Sequence, residues 1–573
     1  ATEYILENGT DSYFNWIDEK SWHPYGRNVS QTSQTTLHLT AASLYPIFNF
    51  GSSVYDFTIL LPVIFGSLTA IVVFAFVRVL GGTTAGLLAA LIFSISVPVF
   101  TRGLIGWFKS EPLGIFFGLL GVYLFVSAFQ SRERKTSFIK IIFSALFLIL
   151  GLSAWGGAVF FILPIILFYF SLPFLKNEKN SIIWFIPTFS ISLILFSFLF
   201  ERTFTFIFSY GGIIISLATS FVIIAEIIKK YSNENTKIRN SAIFLVSIVV
   251  SGIGLLISGI INLPAYRYLN SVNPFLTSTD PLTDSVAEHG ITTLNLSFTF
   301  LSIFIIFGLI GIWVIFSRKT IDLKTHNRIF VLIISLLGIY ISSSFVRLEI
   351  FASIGLIVLS SIGISILLKK LFQSNTFYGT KIIFCGIIIL LFLIPVTLPE
   401  EKNWIGWSDF RPTIYNGATY FQITSHDWHH AMDWLQHNTP ENSVIASWWD
   451  YGYWITTMSD RTTLVDNSTL IDWQIKKMAH AFITTPENSW HILNSSYDED
   501  VSQYIGDERI LAFNGQLSEN FNKDYFEKNG ESCKPIYKSE ARKLGIPTQD
   551  CNPVVLGMDA DYVLIYVAAE RIP

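Results

Sequence analysis

The sequence predicts a polytopic α-helical membrane bundle followed by a mixed α/β extracytoplasmic domain. Three observations carry that prediction. Of 573 residues, 51% are hydrophobic and only 14% are charged, and the mean hydropathy is +0.50, which is outside the range of one compact soluble core. About twelve apolar runs long enough, or nearly so, to cross the hydrocarbon core of a bilayer fill residues 57–398. After residue 399 the composition turns polar and aromatic, with short helix and strand patterns and no further span. The net charge of −4 argues against nucleic acid as a partner.

Residues 1–56 are polar and aromatic, with turn clusters, and read as an external loop in which Asp11 is a solvated carboxylate. The apolar segments then run roughly 57–80, 83–100, 112–130, 138–152, 156–175, 181–200, 204–228, 241–262, 298–317, 329–346, 348–368 and 380–398. Arg132, Arg134 and Lys135 follow the third segment, and Lys176 and Lys179 the fifth. Lys229, Lys230, Lys237 and Arg239 follow the seventh, Arg318, Lys319, Lys324 and Arg328 the ninth, and Lys369, Lys370 and Lys381 the eleventh. Basic loops mark the cytoplasmic side. Residues 1–56, the loops 101–111 and 263–297, and everything after 399 are therefore expected on the external face.

That face collects the unusual polar residues. Glu111 ends the 101–111 loop just before Pro112, where a carboxylate can stabilise a helix N-terminus. Glu288 ends Ser285-Val286-Ala287-Glu288 in the 263–297 loop, with Asp284 and His289 as scaffold. Taken alone, it is a solvated acid. Arg347 joins two apolar segments, and a charge at that depth is rarely decorative. Facing outward, its guanidinium can fork onto a diphosphate; pairing with Glu349 or snorkelling is the plainer reading. Trp155-Gly156-Gly157 reads as close helix packing.

Within 399–573, Ala431–Leu435 reads as an amphipathic helix stopped by Asn438-Thr439-Pro440, and Leu470–Ala481 as another. Val444–Ala446, Thr462–Asp466 and Asp561–Val567 read as strands, the last one buried. The first strand turns out into Trp448-Trp449-Asp450-Tyr451-Gly452. An indole N–H only donates and a carboxylate only accepts, so side by side they can grip a small hydroxyl in both its roles. A simple aromatic plug of the core is the alternative. His426 and His430 have metal-like spacing around His429 but lack a third ligand, and read as a solvated helix face. Cys385 lies in an apolar run, while Cys533 and Cys551 can pair if their domain is extracytoplasmic. Asn-x-Ser/Thr sequons at Asn8, Asn28, Asn295, Asn467 and Asn494 are candidate glycosylation sites.

The unbroken Trp448–Gly452 string resembles the signature of oligosaccharyltransferase catalytic subunits, in the archaeal and eukaryotic branch of that family. Asn15–Asp18, Trp22–Arg27, Ser285–Glu288 and Val346-Arg347-Leu348 resemble further motifs of it. The resemblance implies a bundle of the glycosyltransferase C type, and transfer of a glycan from a polyprenyl (dolichyl) phosphate or diphosphate to Asn in Asn-x-Ser/Thr. It implies Glu288 as the catalytic carboxylate on the acceptor amide, with Trp448, Trp449 and Asp450 binding the +2 hydroxyl. Arg347 is implied on the lipid diphosphate, and Glu111 as a ligand of Mn²⁺ or Mg²⁺. Lys109 departs from the pattern, standing where the family carries an acid. A preceding helix with an aspartate motif and a following Asp-x-x-Lys element are expected outside this sequence. The expected partners are lipid-linked oligosaccharide, acceptor polypeptides and membrane lipid, with accessory subunits undetermined. The active face is expected at the cell surface of an archaeon or in the endoplasmic reticulum lumen of a eukaryote. Another polyprenyl-phosphate-dependent glycosyltransferase is the first rival and a secondary transporter the second.

Overall fold

The computed structural model describes residues 1–175, 182–258, 286–317, 323–400, 402–409, 414–415, 425–493, 509–513, 533–537, 558 and 560–566. The chain divides into two compact units. One consists of residues 34–410, and the other chiefly of residues 3–33 with 411–573.

In the first unit the described residues of each expected apolar segment are mostly helical. Among the described residues nine helices are long and apolar enough to cross a membrane, and two bent helix pairs raise the number to eleven. The sixth expected segment is the shorter helix Ile182–Ser197. The physical signals at the ends are ordinary ones. In Val54–Gly81, Ser53 Oγ accepts from Asp56 N–H at the start, Asp56 and Arg78 complement the two ends of the helix dipole, and Gly82 at φ +92° stops the helix. On Tyr378–Thr397, Ile382 and Leu390 are 57% and 65% exposed. Side chains of this size forgo about 1.5–3 kcal/mol each when left in water; against hydrocarbon they forgo nothing. The chain is an integral membrane protein.

Close backbone packing places the third span, Ser110–Phe129. A Cβ at Gly118 would lie 2.1 Å from Phe161 Cδ2, and one at Gly151 would lie 3.1 Å from the Gly118 nitrogen. Small residues let helices in a bilayer approach this closely. The first turn of Ser110–Phe129, which carries Glu111, is thereby fixed against its neighbours. Glu349–Gln373 runs through the middle of the bundle and is buried over its first seventeen residues.

Several details differ from the sequence reading. The second segment breaks at Ser96, with Thr83–Ile95 and Val97–Gly103 bent by 67°. Pro98 has no N–H to offer the Ser94 carbonyl, and that carbonyl instead accepts from Trp404 Nε1 at 3.0 Å. The ninth segment starts early, as Leu294–Leu301, and bends by 91° into Ile303–Phe316 at Ser302, whose φ is +48°. No broken span was read from the sequence; these are two. Residues 204–228 are not one helix either, since Glu201–Ile207 ends before Tyr210–Tyr231 begins. The sequon at Asn295 falls inside a helix, and Asn494 lies outside the described residues.

The stretch 1–56 is divided. Thr35–Phe48 is a helix of the membrane unit, whereas residues 3–33 belong with the C-terminal part of the chain. The second unit contains a three-stranded parallel sheet of order β4-β3-β7, with β3 (Val444–Ala446) between β4 (Thr462–Thr463) and β7 (Tyr562–Val563). Residues 20–23 run alongside β4, with Thr463 N–H donating to Lys20 O at 2.9 Å and His23 N–H to Thr463 O at 3.1 Å. Two antiparallel pairs complete it: β1 (Ile17–Asp18) with β2 (Arg27–Asn28), and β5 (Arg509–Phe513) with β6 (Cys533–Tyr537). Strand β7 is an edge, and Val563 is exposed rather than buried as the sequence reading had it. The helices Asp427–Asn438 and Asp472–Ile483 stand where the sequence places them. Cys551 lies outside the described residues, so the pairing with Cys533 is not addressed.

Candidate functional site

In the membrane unit the 101–111 loop, the end of the 263–297 loop and the turn at Arg347 come together. Two contacts join the latter pair: Val346 N–H donates to Gly290 O at 3.1 Å, and Thr292 Oγ1 donates to Ser342 O at 2.9 Å. Glu111, almost wholly buried in the first turn of Ser110–Phe129, accepts from Arg347 Nη2 at 2.8 Å on Oε1. Arg102 Nη1 lies 3.8 Å from the same oxygen. Arg102 also reaches Glu288 Oε1 at 3.0 Å, and Arg347 Nε lies 3.6 Å from Glu288 Oε2. Two carboxylates and two guanidiniums thus form a closed ring of ion pairs. Partial burial pushes the Glu288 carboxyl up, but Arg102, Arg347 and Lys109 together pull it further down, so it sits below the usual glutamate range.

Glu111, Glu288 and Arg347 were singled out in the sequence. Arg102 was not, although it shares a loop with Glu111. Its signal was available: a guanidinium at the end of a broken apolar span is itself rare. Arg347 pairs with Glu111 and Glu288, whereas Glu349 is buried and accepts instead from Ser297 Oγ at 2.8 Å. Asp284 and Ser285 lie outside the described residues.

The expected Mn²⁺ or Mg²⁺ can be tested against this arrangement. Among the described residues no three His, Cys, Asp or Glu side chains group so as to hold a metal ion. Glu111 and Glu288 are already neutralised by two guanidiniums, and Lys109 stands beside them. Hard dications want about six oxygen donors, several of them charged. The described residues do not by themselves fit such an ion, and no step is derived through one.

Trp448, Trp449 and Asp450 belong to the second unit. Strand β3 is fully buried, and the chain leaves it through Trp448 into a tight helical turn, Trp449–Tyr451. The two indoles stand 6.0 Å apart at 50°. Trp449 is 7% exposed, and its Nε1 is buried with no hydrogen-bond partner among the described residues. A buried donor left unpaired costs about 1–3 kcal/mol. Asp450 is exposed, and its backbone carbonyl accepts from Asn467 Nδ2 at 2.9 Å. Tyr451 is the part of the string that plugs the core, packing 4.4 Å from Trp428. Burial, with Asp450 and Tyr566 beside it, pushes its phenol up to about 12. Gly452 is required by space, because a Cβ there would lie 2.3 Å from Val465 O.

Behind this turn lies a polar cluster that the sequence did not announce. Asp466, wholly buried, accepts from Trp22 Nε1 at 2.9 Å and from Ser468 N–H at 2.7 Å. Arg27 is buried too, donating to Tyr453 OH at 2.9 Å and to Asp466 Oδ2 at 3.5 Å. The segment 22–27 is thereby tied to both ends of the Trp448–Asp466 stretch. His426 and His430 are exposed on their helix, as expected, and His429 stacks on Tyr415.

Comparisons with known proteins agree with this architecture. Residues 1–398 match the family model described as oligosaccharyl transferase STT3, N-terminal, and residues 441–531 match the STT3/PglB/AglB core domain. Among curated relatives, the dolichyl-diphosphooligosaccharide–protein glycosyltransferase subunit STT3 of Dictyostelium discoideum is 26% identical, over 94% of this chain and 77% of its own length. The Saccharomyces cerevisiae subunit STT3 is 25% identical, over 90% and 74%. Among solved structures, the Archaeoglobus fulgidus oligosaccharyltransferase AglB with an inhibitory peptide and a dolichol-phosphate superposes with a TM-score of 0.65 at 16% identity. The match covers 89% of this chain and 65% of the archaeal one, so the chain spans about two thirds of that enzyme. The apo form of the same archaeal enzyme gives a TM-score of 0.67 at 17% identity, with the same coverage. A family model that covers the whole membrane part, a second one over the Trp448–Gly452 domain, and the shared fold lead to one conclusion: the chain belongs to the oligosaccharyl transferase STT3 family.

Proposed function

We propose that this chain transfers an oligosaccharide from a polyprenyl (dolichyl) phosphate or diphosphate carrier to the side-chain amide of Asn in Asn-x-Ser/Thr, on the extracytoplasmic face of the membrane. The observation that carries this reading is the meeting of Glu111, Glu288, Arg102 and Arg347 from three separate loops. All three loops fall on one face by the distribution of Lys and Arg.

Transfer demands two things of such a site. An amide nitrogen is a poor nucleophile because its lone pair is delocalised into the carbonyl, so its N–H bonds must be held and loosened. A diphosphate leaving group must have its growing negative charge met. Glu288 is the half-exposed acid and accepts the amide N–H. Arg347 is the more exposed of the two guanidiniums and presents a fork to phosphate oxygens. In the free protein these groups neutralise one another. An arriving diphosphate competes for the guanidiniums and so releases the Glu288 carboxylate toward the acceptor. Trp448, Trp449 and Asp450 read the +2 hydroxyl, and their part is orientation.

The test uses a fluorescent Asn-x-Thr peptide with a lipid-linked oligosaccharide and the full-length protein. Glycopeptide should form with Asn, and not when Gln replaces it or Ala replaces Thr. The broken spans would favour a secondary transporter as the second reading. Glycan movement that ignores the peptide would support that one and refute transfer.

A further inference from the structure

Lys109 sits beside the carboxylate–guanidinium ring but makes no ion pair within it among the described residues. Its Nζ lies 4.3 Å from the centroid of the Trp107 ring, and Arg102 Cζ lies 5.5 Å from the same centroid. One indole therefore carries two cations, each attracted by the ring's quadrupole. Such a contact occupies a cation's flank and leaves its N–H donors for other acceptors. The Trp107 Nε1 is itself buried with no hydrogen-bond partner among the described residues. Lys109 is exposed.

The charges around this point do not balance. Among the described residues, Glu111 and Glu288 supply two negative charges, while Arg102, Arg347 and Lys109 supply three positive ones. The two guanidiniums satisfy the two carboxylates, which leaves the ammonium as the excess. Among the described residues, a dication would enter a neighbourhood already net positive, where the acids are engaged and no third acid stands by. An anion would find an ammonium with donors to spare and a fork from Arg347 within the same loop cluster. The arrangement is built to receive phosphate oxygens.

We propose that Lys109 binds the phosphate of the lipid-linked donor and supplies, from the chain itself, the positive charge that a divalent cation would otherwise bring, so that transfer runs without Mn²⁺ or Mg²⁺. This inference rests on the transfer reading above. As the bond between the anomeric carbon and the phosphate oxygen breaks, its electron pair stays on that oxygen. The anomeric carbon joins the Asn nitrogen, and the amide proton passes to the Glu288 carboxylate. Lys109 stays protonated throughout and donates to the departing oxygen.

The experiment uses the full-length protein in detergent, freed of metal with EDTA. Pyrophosphate binding and glycan transfer to an Asn-x-Thr peptide are measured separately. In EDTA, wild-type transfer should stay within about twofold of its rate with added Mn²⁺. Lys109→Ala should weaken pyrophosphate binding about tenfold or more and raise the KM for the lipid donor, leaving the peptide KM unchanged; Lys109→Arg should restore both. Lys109→Asp should make transfer depend on Mn²⁺ and give the protein a bound-Mn²⁺ electron paramagnetic resonance signal absent from wild type. Wild-type transfer that dies in EDTA and returns with Mn²⁺ overturns the proposal. So does pyrophosphate binding that ignores Lys109→Ala. If pyrophosphate binding depends on Lys109 but no condition yields glycopeptide, the phosphate site stands and the transfer reading falls.

Discussion

Asp466→Asn tests how the turn that carries Trp448, Trp449 and Asp450 is held. The wild-type carboxylate, wholly buried, accepts from Trp22 Nε1 at 2.9 Å and Ser468 N–H at 2.7 Å on one oxygen, and faces Arg27 Nη1 at 3.5 Å with the other. Asparagine keeps the shape but turns one oxygen into an NH₂ group. Whichever way it flips, a donor then meets a donor: the indole and backbone N–H on one side, or the guanidinium on the other. Breaking a buried ion pair costs about 3–5 kcal/mol. Arg27 retains Tyr453 at 2.9 Å and Thr32 at 3.0 Å, and its separation from Asp466 is long. The low end, about 3 kcal/mol, is therefore expected.

At about 2–4 °C per kcal/mol for a domain of this size, the second unit should melt about 6–12 °C earlier, as followed by tryptophan fluorescence. Tyr453 lies three residues beyond Asp450, so the loosened turn should also bind an Asn-x-Thr peptide more weakly, with the lipid-donor KM unchanged. Asp460→Asn is the control. It removes an exposed pair with Lys20, and such surface pairs contribute about 0–1 kcal/mol. If Asp466→Asn melts with wild type and binds peptide as tightly, the cluster does not hold the turn and the reasoning fails.

Glu111→Gln removes the buried partner of Arg347; because Arg347 is one-third exposed, water offsets part of the loss, and destabilisation of about 1–2 kcal/mol is expected in thermal melts. Its transfer rate should fall at least about tenfold, and an unchanged rate would remove Glu111 from the site. Trp449→Phe keeps the ring packing but deletes the buried, unpaired N–H. It should melt at or above the wild-type temperature while peptide affinity drops about fivefold to tenfold; equal affinity for Asn-x-Thr and Asn-x-Ala peptides in wild type would refute the role given to that indole. Glu288 has a folded-state pKa below 4.5, so its ion pairs stabilise the protein above that value and are lost as pH falls through the lower folded one. The share of stability that Glu288 contributes should thus hold level from pH 7 to about 5. Glu288→Gln should flatten the acid limb of the melting profile below that, and an acid limb near pH 6 that vanishes in this variant would contradict the assignment.

How much of this was legible follows from what kind of signal each residue leaves in the sequence. Glu111 and Arg347 stand out because charges are scarce at the ends of apolar runs, and scarcity is a local property. Glu288 needed its motif, since an acid in a polar loop carries no contrast of its own. Arg102 had the same contrast as Arg347, but the break at Ser96 hid the fact that it ends a span rather than opening a loop. Trp22, Arg27 and Asp466 left no such trace, because their contacts link residues about 440 positions apart. Pairing over that distance can be read only once the chain has folded. The division of residues 1–56 between the two units follows from the same contacts: burying Trp22 and Arg27 against β4 and its continuation removes an indole and a guanidinium from water. Residues 34–48 carry an apolar face instead, with Leu37, Ala41, Leu44 and Tyr45 packed against Phe57, Leu61 and Leu113, so they side with the bundle.

The charged ring can be argued one step further. Four groups from three loops cancel one another in the free protein, which offsets part of the cost of taking two acids and two guanidiniums out of water at the end of a membrane bundle. Cancellation also makes the site inert until an anion arrives. On the proposed reading, a diphosphate that takes up the guanidiniums does so by displacing carboxylate, and each displacement frees an acid for the acceptor amide. On that reading donor binding and activation of Glu288 are one event, and neither requires the other partner to be preassembled. This ordering follows from Arg102 and Arg347 each touching both acids. If either arginine touched one acid alone, a donor phosphate could bind without releasing Glu288.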